Sequence, residues 1–296
     1  MPFFLLLALG RLLDYLEIFP PGADKSLNLY VIYIALPALI LRQVPELVFS
    51  GDCLTPLVIP WLVVLFSGLL VFLLCRLLRW SREITGALLL MVPMGNTAFL
   101  GIPMVEFFFG PDAVLYAVLY DQFGSFLILS SYGAFILAVY GSGSKPSFAA
   151  VLKKVLTFPP FLTLIVALFL QKDALPSWWQ INLTMISQSM TPVVMVSLGI
   201  QMRLFLPKNE LLPLIVGLVV RLLVTPLIFV WGCQLFQLSG RAVQVALLET
   251  AMPPMIMASV LAGIAGLKPQ LSSAMAAYGI GCAFFTLPVI YNLLSA

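Results

Sequence analysis

Three ionisable side chains stand inside long apolar runs: Asp121 in LYDQFGSF, Arg221 in LVVRLLV and Glu249 in LLETAMPP. A charge at membrane depth costs roughly 2.5–3.5 kcal/mol on insertion scales, and residues so placed mark ion, proton or substrate pathways. Carboxylates can hold a cation or a proton, and Ser125 follows Asp121 by one turn on the same helix face. Asp121, Ser125 and Glu249 are therefore the candidates for a coupling ion or proton. The alternative is a structural pair or a hydrogen-bonded anchor. Arg221 reads as the partner of one carboxylate or as a snorkelling side chain; the sharper reading makes it the counter-charge of an anionic substrate. The chain has no histidine, so a Ser-His-Asp triad, a His-ligated metal and an imidazole relay fall away. Proton chemistry would run through carboxylates.

Helix breakers supply the second set of chemical groups. The stretches MVPMGNTAFLGIPMVE (91–106) and ETAMPPMIMASVLAGIAG (249–266) are apolar yet broken by proline and glycine. In the first, Gly95, Gly101 and Pro103 flank Asn96 and Thr97; in the second, Pro253 and Pro254 adjoin and remove two backbone donors. A broken helix exposes N–H groups at one end and C=O groups at the other, suited to an anion and a cation respectively. Asn96, Thr97, Gly101, Pro103, Pro253 and Pro254 are the candidate substrate-binding residues. One such break alone would read as an ordinary proline kink. Two in corresponding parts of the chain point to the binding site of an inverted-repeat carrier.

The elements that must position these groups are membrane helices. Hydrophobic residues make up 62% of the chain, charged residues 9%, and mean hydropathy is +1.10, far from the average soluble domain. The net charge of +3 lies in short loops rather than in one patch, so nucleic acid is no expected partner. Cys53, Cys75, Cys233 and Cys282 share no metal-ligand spacing and read as small core hydrophobes. Segments near 2–19, 26–43, 55–78, 83–108, 112–139, 149–170, 182–202, 211–236, 242–265 and 270–294 are each long and apolar enough to be a span. The first reads as a short span rather than a signal peptide. Trp178 and Trp179 suit an interfacial aromatic belt, and Gln122, Gln188, Ser189, Thr191, Gln201 and Thr225 suit helix packing.

Ten spans alternate the loops between two sides. One side collects Arg11, Lys25, Arg76, Arg79, Arg82, Lys145, Lys153, Lys154, Arg203, Lys208 and Lys268, the other only Arg42, Lys172 and Arg241. Lys and Arg stay preferentially cytoplasmic, so both termini are expected outside, on the periplasmic face of a cell inner membrane. Pro37 and Pro192, Pro56 and Pro213, Arg82 and Arg241, Pro93 and Pro253, and Pro111 and Pro269 recur in order at offsets between 155 and 160. An odd-numbered repeat must be inverted in the membrane. The expected fold class is thus all-α integral membrane: ten transmembrane helices as two inverted five-helix repeats, 1–140 and 149–296, joined by a connector at 141–148, with helices four and nine broken.

NTAFLGIP (96–103), LYDQFGS (119–125) and LETAMPPMIMASVLA (248–262) resemble the auxin efflux carrier family in its bacterial branch. The resemblance covers essentially the whole chain. It implies the fold shared with bile acid/sodium symporter-like proteins, in which broken helices four and nine cross near the midplane and one bundle moves in an elevator-like manner. By the same resemblance Asn96 matches the crossover asparagine, Pro103 and Pro253 match the two crossover prolines, and Glu249 looks like a sodium-coordinating glutamate. The chain departs from the plant hormone carriers at Gly266, where they have asparagine, and in its short connector. Auxin itself is therefore not implied; bacterial members are associated with small carboxylates.

These readings converge on a secondary carrier of a small organic anion, such as a mono- or dicarboxylate, coupled to H+ or Na+. No enzymatic constellation and no resident cofactor is expected. Its partners would be the substrate and the lipid bilayer, and a homodimer is the candidate assembly. Two alternatives using the same fold stay open: a passive channel, which would need a continuous polar stripe along several helices where the chain shows breaks, and a membrane-embedded receptor or sensor, which would usually need a soluble output domain where the loops are short.

Overall fold

The computed structural model describes residues 2–46, 53–141, 153, 156–170, 176–201 and 210–295. Beyond Gly141, the connector expected at 141–148 lies outside the described residues, as do Lys145, Lys154, Lys172, Arg203 and Lys208 of the charge tally. Helices account for all regular structure among the described residues, with one isolated β-bridge. Apolar surroundings leave backbone N–H and C=O groups no water to bond, so an apolar chain of this composition satisfies them within helices. Among the described residues, six helices are long and apolar enough to cross a membrane. Their exposed faces carry large apolar side chains such as Leu65, Leu69 and Leu73, as a lipid-facing surface requires.

The chain folds into two compact units, each drawn from both halves of the sequence. The first takes residues 1–49 and 154–203. It contains α1 (Pro2–Tyr15), α2 (Ala23–Gln43), α7 (Pro159–Phe169) and α8 (Trp178–Gln201). Gly10 of α1 and Gly199 of α8 let two backbones meet: a Cβ on Gly10 would fall on the carbonyl oxygen of Val196, and one on Gly199 on that of Leu7. Small residues at such crossings are how apolar helices gain packing without a hydrophobic driving force. Hydroxyls tie α2 to α8, Tyr30 to Ser189 at 2.7 Å and Ser197 to Asn28 at 2.8 Å. Ser189, read as a packing residue, does pack.

The second unit takes residues 50–153 and 204–296. It contains α3 (Leu54–Leu77), α4 (Arg82–Met91), α5 (Thr97–Phe109), α6 (Pro111–Tyr140), α9 (Leu211–Leu235), α10 (Arg241–Thr250), α11 (Ile256–Ile264) and α12 (Pro269–Ser295). Ser81 caps α4, its hydroxyl accepting the Ile84 N–H, and Gly110 (φ 86°) ends α5 in a backbone region that side chains avoid. Leu88, Leu90 and Met91 of α4, Val220 of α9, Ala258 of α11 and Met275 of α12 bury together. The unit contains two short helix pairs, α4/α5 and α10/α11, each interrupted within a few residues.

Candidate functional site at a helix crossing

The two interruptions lie side by side. After α4 the chain runs through Val92–Asn96 before α5 begins, and after α10 it runs through Ala251–Met255 before α11. These stretches are antiparallel: Asn96 donates its backbone N–H to the Pro253 carbonyl at 2.8 Å, and Met255 donates to Met94 at 2.9 Å, around a bridge of Gly95 with Pro254. Irregular backbone in an apolar interior must be satisfied by protein, and here each break satisfies the other. Met255 follows Asn96 by 159 positions, as Pro253 follows Met94 and Pro254 follows Gly95. The two hydrogen bonds therefore exchange under the offset that relates the halves of the sequence.

Four helix ends converge on this crossing: the C-termini of α4 and α10, which carry partial negative charge, and the N-termini of α5 and α11, which carry partial positive charge. Thr97, Asp121 and Arg221 each lie in a π-helical turn, at Thr97–Gly101, Tyr120–Phe126 and Val220–Val224. Such turns displace a side chain from regular helical spacing and are common at functional sites.

Arg221 is 1% exposed. Its Nε donates to the Met252 carbonyl at 2.7 Å, and one Nη donates to the Val92 and Pro93 carbonyls at 3.3 Å each. No ion pair joins it to Asp121 or Glu249 among the described residues. Asp121 is buried and bonded at both oxygens: the Thr97 hydroxyl donates to Oδ1 at 2.5 Å, and the Gln122 amide donates to Oδ2 at 2.7 Å. Ser125 lines a small cavity with Pro93, Gly95, Thr97, Tyr120 and Arg221, roomy enough for about one water molecule.

Glu249 presents the opposite case to Asp121. It is fully buried on α10, and neither carboxylate oxygen has a hydrogen-bond partner among the described residues. The carboxylate packs against Gly101, where a Cβ would stand 2.6 Å from Oε1. Asn96 is buried with its Nδ2 likewise unpartnered. Pro253 and Pro254 form one strand of the crossing, whereas Pro103 sits in the first turn of the regular part of α5. The structure thus brings Thr97 to Asp121, Gly101 to Glu249 and Asn96 to Pro253. Pro253's carbonyl serves the opposing break rather than facing outward.

Sequence reasoning left out Pro93, Met94 and Met252, and took Gln122 for a packing residue. Pro93 carried a signal, its 160-position offset from Pro253, and Gln122 adjoined a buried acid. Carbonyl ligands such as those of Met94 and Met252 carry no side-chain signal at all.

Interrupted apolar helices, buried charge and exposed apolar faces fit an integral membrane protein, and similarity to known proteins makes it a membrane transporter rather than an enzyme. The chain belongs to the membrane transport protein family, which it matches over residues 1–291 and which is the auxin efflux carrier family resembled above. It is 30% identical over 246 residues to an uncharacterized transporter of Methanocaldococcus jannaschii, covering 80% of this chain and 79% of that protein. It is 27% identical over 261 residues to an uncharacterized transporter of Methanothermobacter thermautotrophicus, covering 87% and 84%.

Proposed function

We propose that this chain is a secondary active carrier of a small organic anion, such as a mono- or dicarboxylate, coupled to H+ or Na+. In this reading α4/α5 and α10/α11 are spans four and nine of ten, arranged as two inverted five-helix repeats at 1–140 and 149–296. The reciprocal bonding of the two breaks at a 159-position offset supports that symmetry. Both termini face the outside of an inner membrane, following the Lys/Arg asymmetry, and transport proceeds by an elevator-like motion.

The observation that carries the proposal is that one crossing holds both a buried carboxylate, Glu249, and a buried amide nitrogen, that of Asn96, without hydrogen-bond partners among the described residues. Asn96 and the backbone N–H groups that open α5 at Thr97 hold the substrate carboxylate, with Gly101 leaving space for Glu249 and Pro103, Pro253 and Pro254 shaping the breaks. Glu249 takes the coupling proton or Na+. Asp121, with Ser125 beside it, supports the same cation step while orienting Thr97. Arg221 adds positive charge to the crossing that receives the anion.

Reconstituted protein tests this directly. Thermal stability in detergent is measured against a panel of mono- and dicarboxylates, each with and without Na+, since a true ligand stabilises by RT ln(1 + [L]/Kd) and the shift grows with the logarithm of its concentration above Kd. The stabilising anion is then followed in proteoliposomes, where saturable uptake and counter-exchange are expected. Flux that neither saturates nor counter-exchanges would identify a channel and sink the carrier reading.

A further inference from the structure

We infer that Arg221 is a fixed cation built into the crossing, holding the C-terminal ends of α4 and α10 together where two helix ends would otherwise require a bound ion. Each helix C-terminus carries roughly half a negative charge on its unpaired carbonyls. Two such ends brought together repel, and their carbonyls must be satisfied without bulk water. The guanidinium meets both needs at once, because its rigid fork presents several donors from one permanent charge. It bonds Val92 and Pro93 beyond the end of α4, and Met252 beyond the end of α10.

Two features show that the place is built for this side chain. A Cβ on Gly95 would fall on the second Nη of Arg221, so glycine at the centre of the first break is what admits the guanidinium. The π-helical turn at Val220–Val224 sets Arg221 off the regular spacing of α9. A buried guanidinium without a carboxylate partner is tolerated only where other groups offset its charge, and the two dipole ends do so here. The inference goes beyond the carrier reading and needs no substrate for its test.

Thermal unfolding midpoints are measured for the wild type, Arg221→Ala, Arg221→Lys, Gly95→Ala and the two double variants, at constant ionic strength. Arg221→Ala is expected to fall by about 5 °C or more, with Arg221→Lys between it and wild type because charge is kept but the fork is lost. Guanidinium chloride at tens of millimolar should restore part of the Arg221→Ala loss, whereas equimolar urea, the same shape without charge, should not. Equal responses to urea and guanidinium overturn the inference. So does Arg221→Ala with a wild-type midpoint, which would leave the side chain free to serve only a substrate. If Arg221→Ala does not fold, the Arg221→Lys background decides: Gly95→Ala should lower the midpoint in the wild type and cost clearly less with lysine, and an equal cost in both rejects the contact.

Discussion

The carboxylate of Glu249 occupies the space that a side chain at position 101 would fill, with Oε1 2.6 Å from the Cβ that Gly101 lacks. One helix pair thus leaves a notch in which the other places its only acid. Neither oxygen of that acid is hydrogen-bonded by the described residues, a costly arrangement that a protein keeps where function needs it.

Replacing Glu249 should therefore separate activity from stability. Glu249→Gln removes a buried, unpaired carboxylate and is expected to unfold at a midpoint equal to or above wild type, while gradient-driven uptake is lost. Measuring both on the same preparation decides the point. A midpoint several degrees lower would mean that the acid is structural, and unchanged uptake would remove it from the mechanism.

Gly101→Ala puts a methyl group into the same notch. Overpacking of this kind costs about 1–3 kcal/mol and displaces Glu249. If Glu249 couples transport, the residual folded protein should lose more of its gradient-driven uptake than of its substrate affinity, read by comparing flux with a ligand-induced thermal shift.

Asn96→Ala should do the reverse. Its Nδ2 has no hydrogen-bond partner among the described residues, so truncation sacrifices little stability. A donor to a charged ligand is worth about 1.5–3 kcal/mol, so anion affinity should fall roughly tenfold or more. Titrating the stabilising anion against wild type and variant gives the ratio directly, and equal affinities would place the anion elsewhere.

The Thr97 hydroxyl donates to Asp121 at 2.5 Å, between buried groups. Thr97→Val keeps the shape, removes the donor and is expected to destabilise by about 1.5–3 kcal/mol; Thr97→Ser should keep most of it. Denaturation midpoints of the two variants separate loss of the hydroxyl from loss of the methyl group.

In the other compact unit, Gly10→Val and Gly199→Val each drive a side chain into opposing backbone between α1 and α8. A loss of about 2 kcal/mol or more is expected for either. The pair should cost less than the sum of the singles, because both open one crossing.

Much of this protein is written locally. Apolar runs with no internal water to satisfy the backbone dictate helices, and Pro93, Gly95, Pro253 and Pro254 dictate where two of them break, because proline lacks a donor and glycine frees the chain. The buried charges were legible for the same reason: Asp121, Arg221 and Glu249 stand out against hydrocarbon-like neighbours. What each charge does was decided only in three dimensions. Asp121 and Glu249 are both acids in apolar helices, yet one receives two hydrogen bonds and the other none from the described residues, a difference set by Thr97 arriving from α5 and Gln122 standing beside Asp121. Arg221 meets backbone carbonyls rather than either acid. Carbonyl groups are common to every residue, so no sequence pattern could announce that the ends of two distant helices would share one guanidinium.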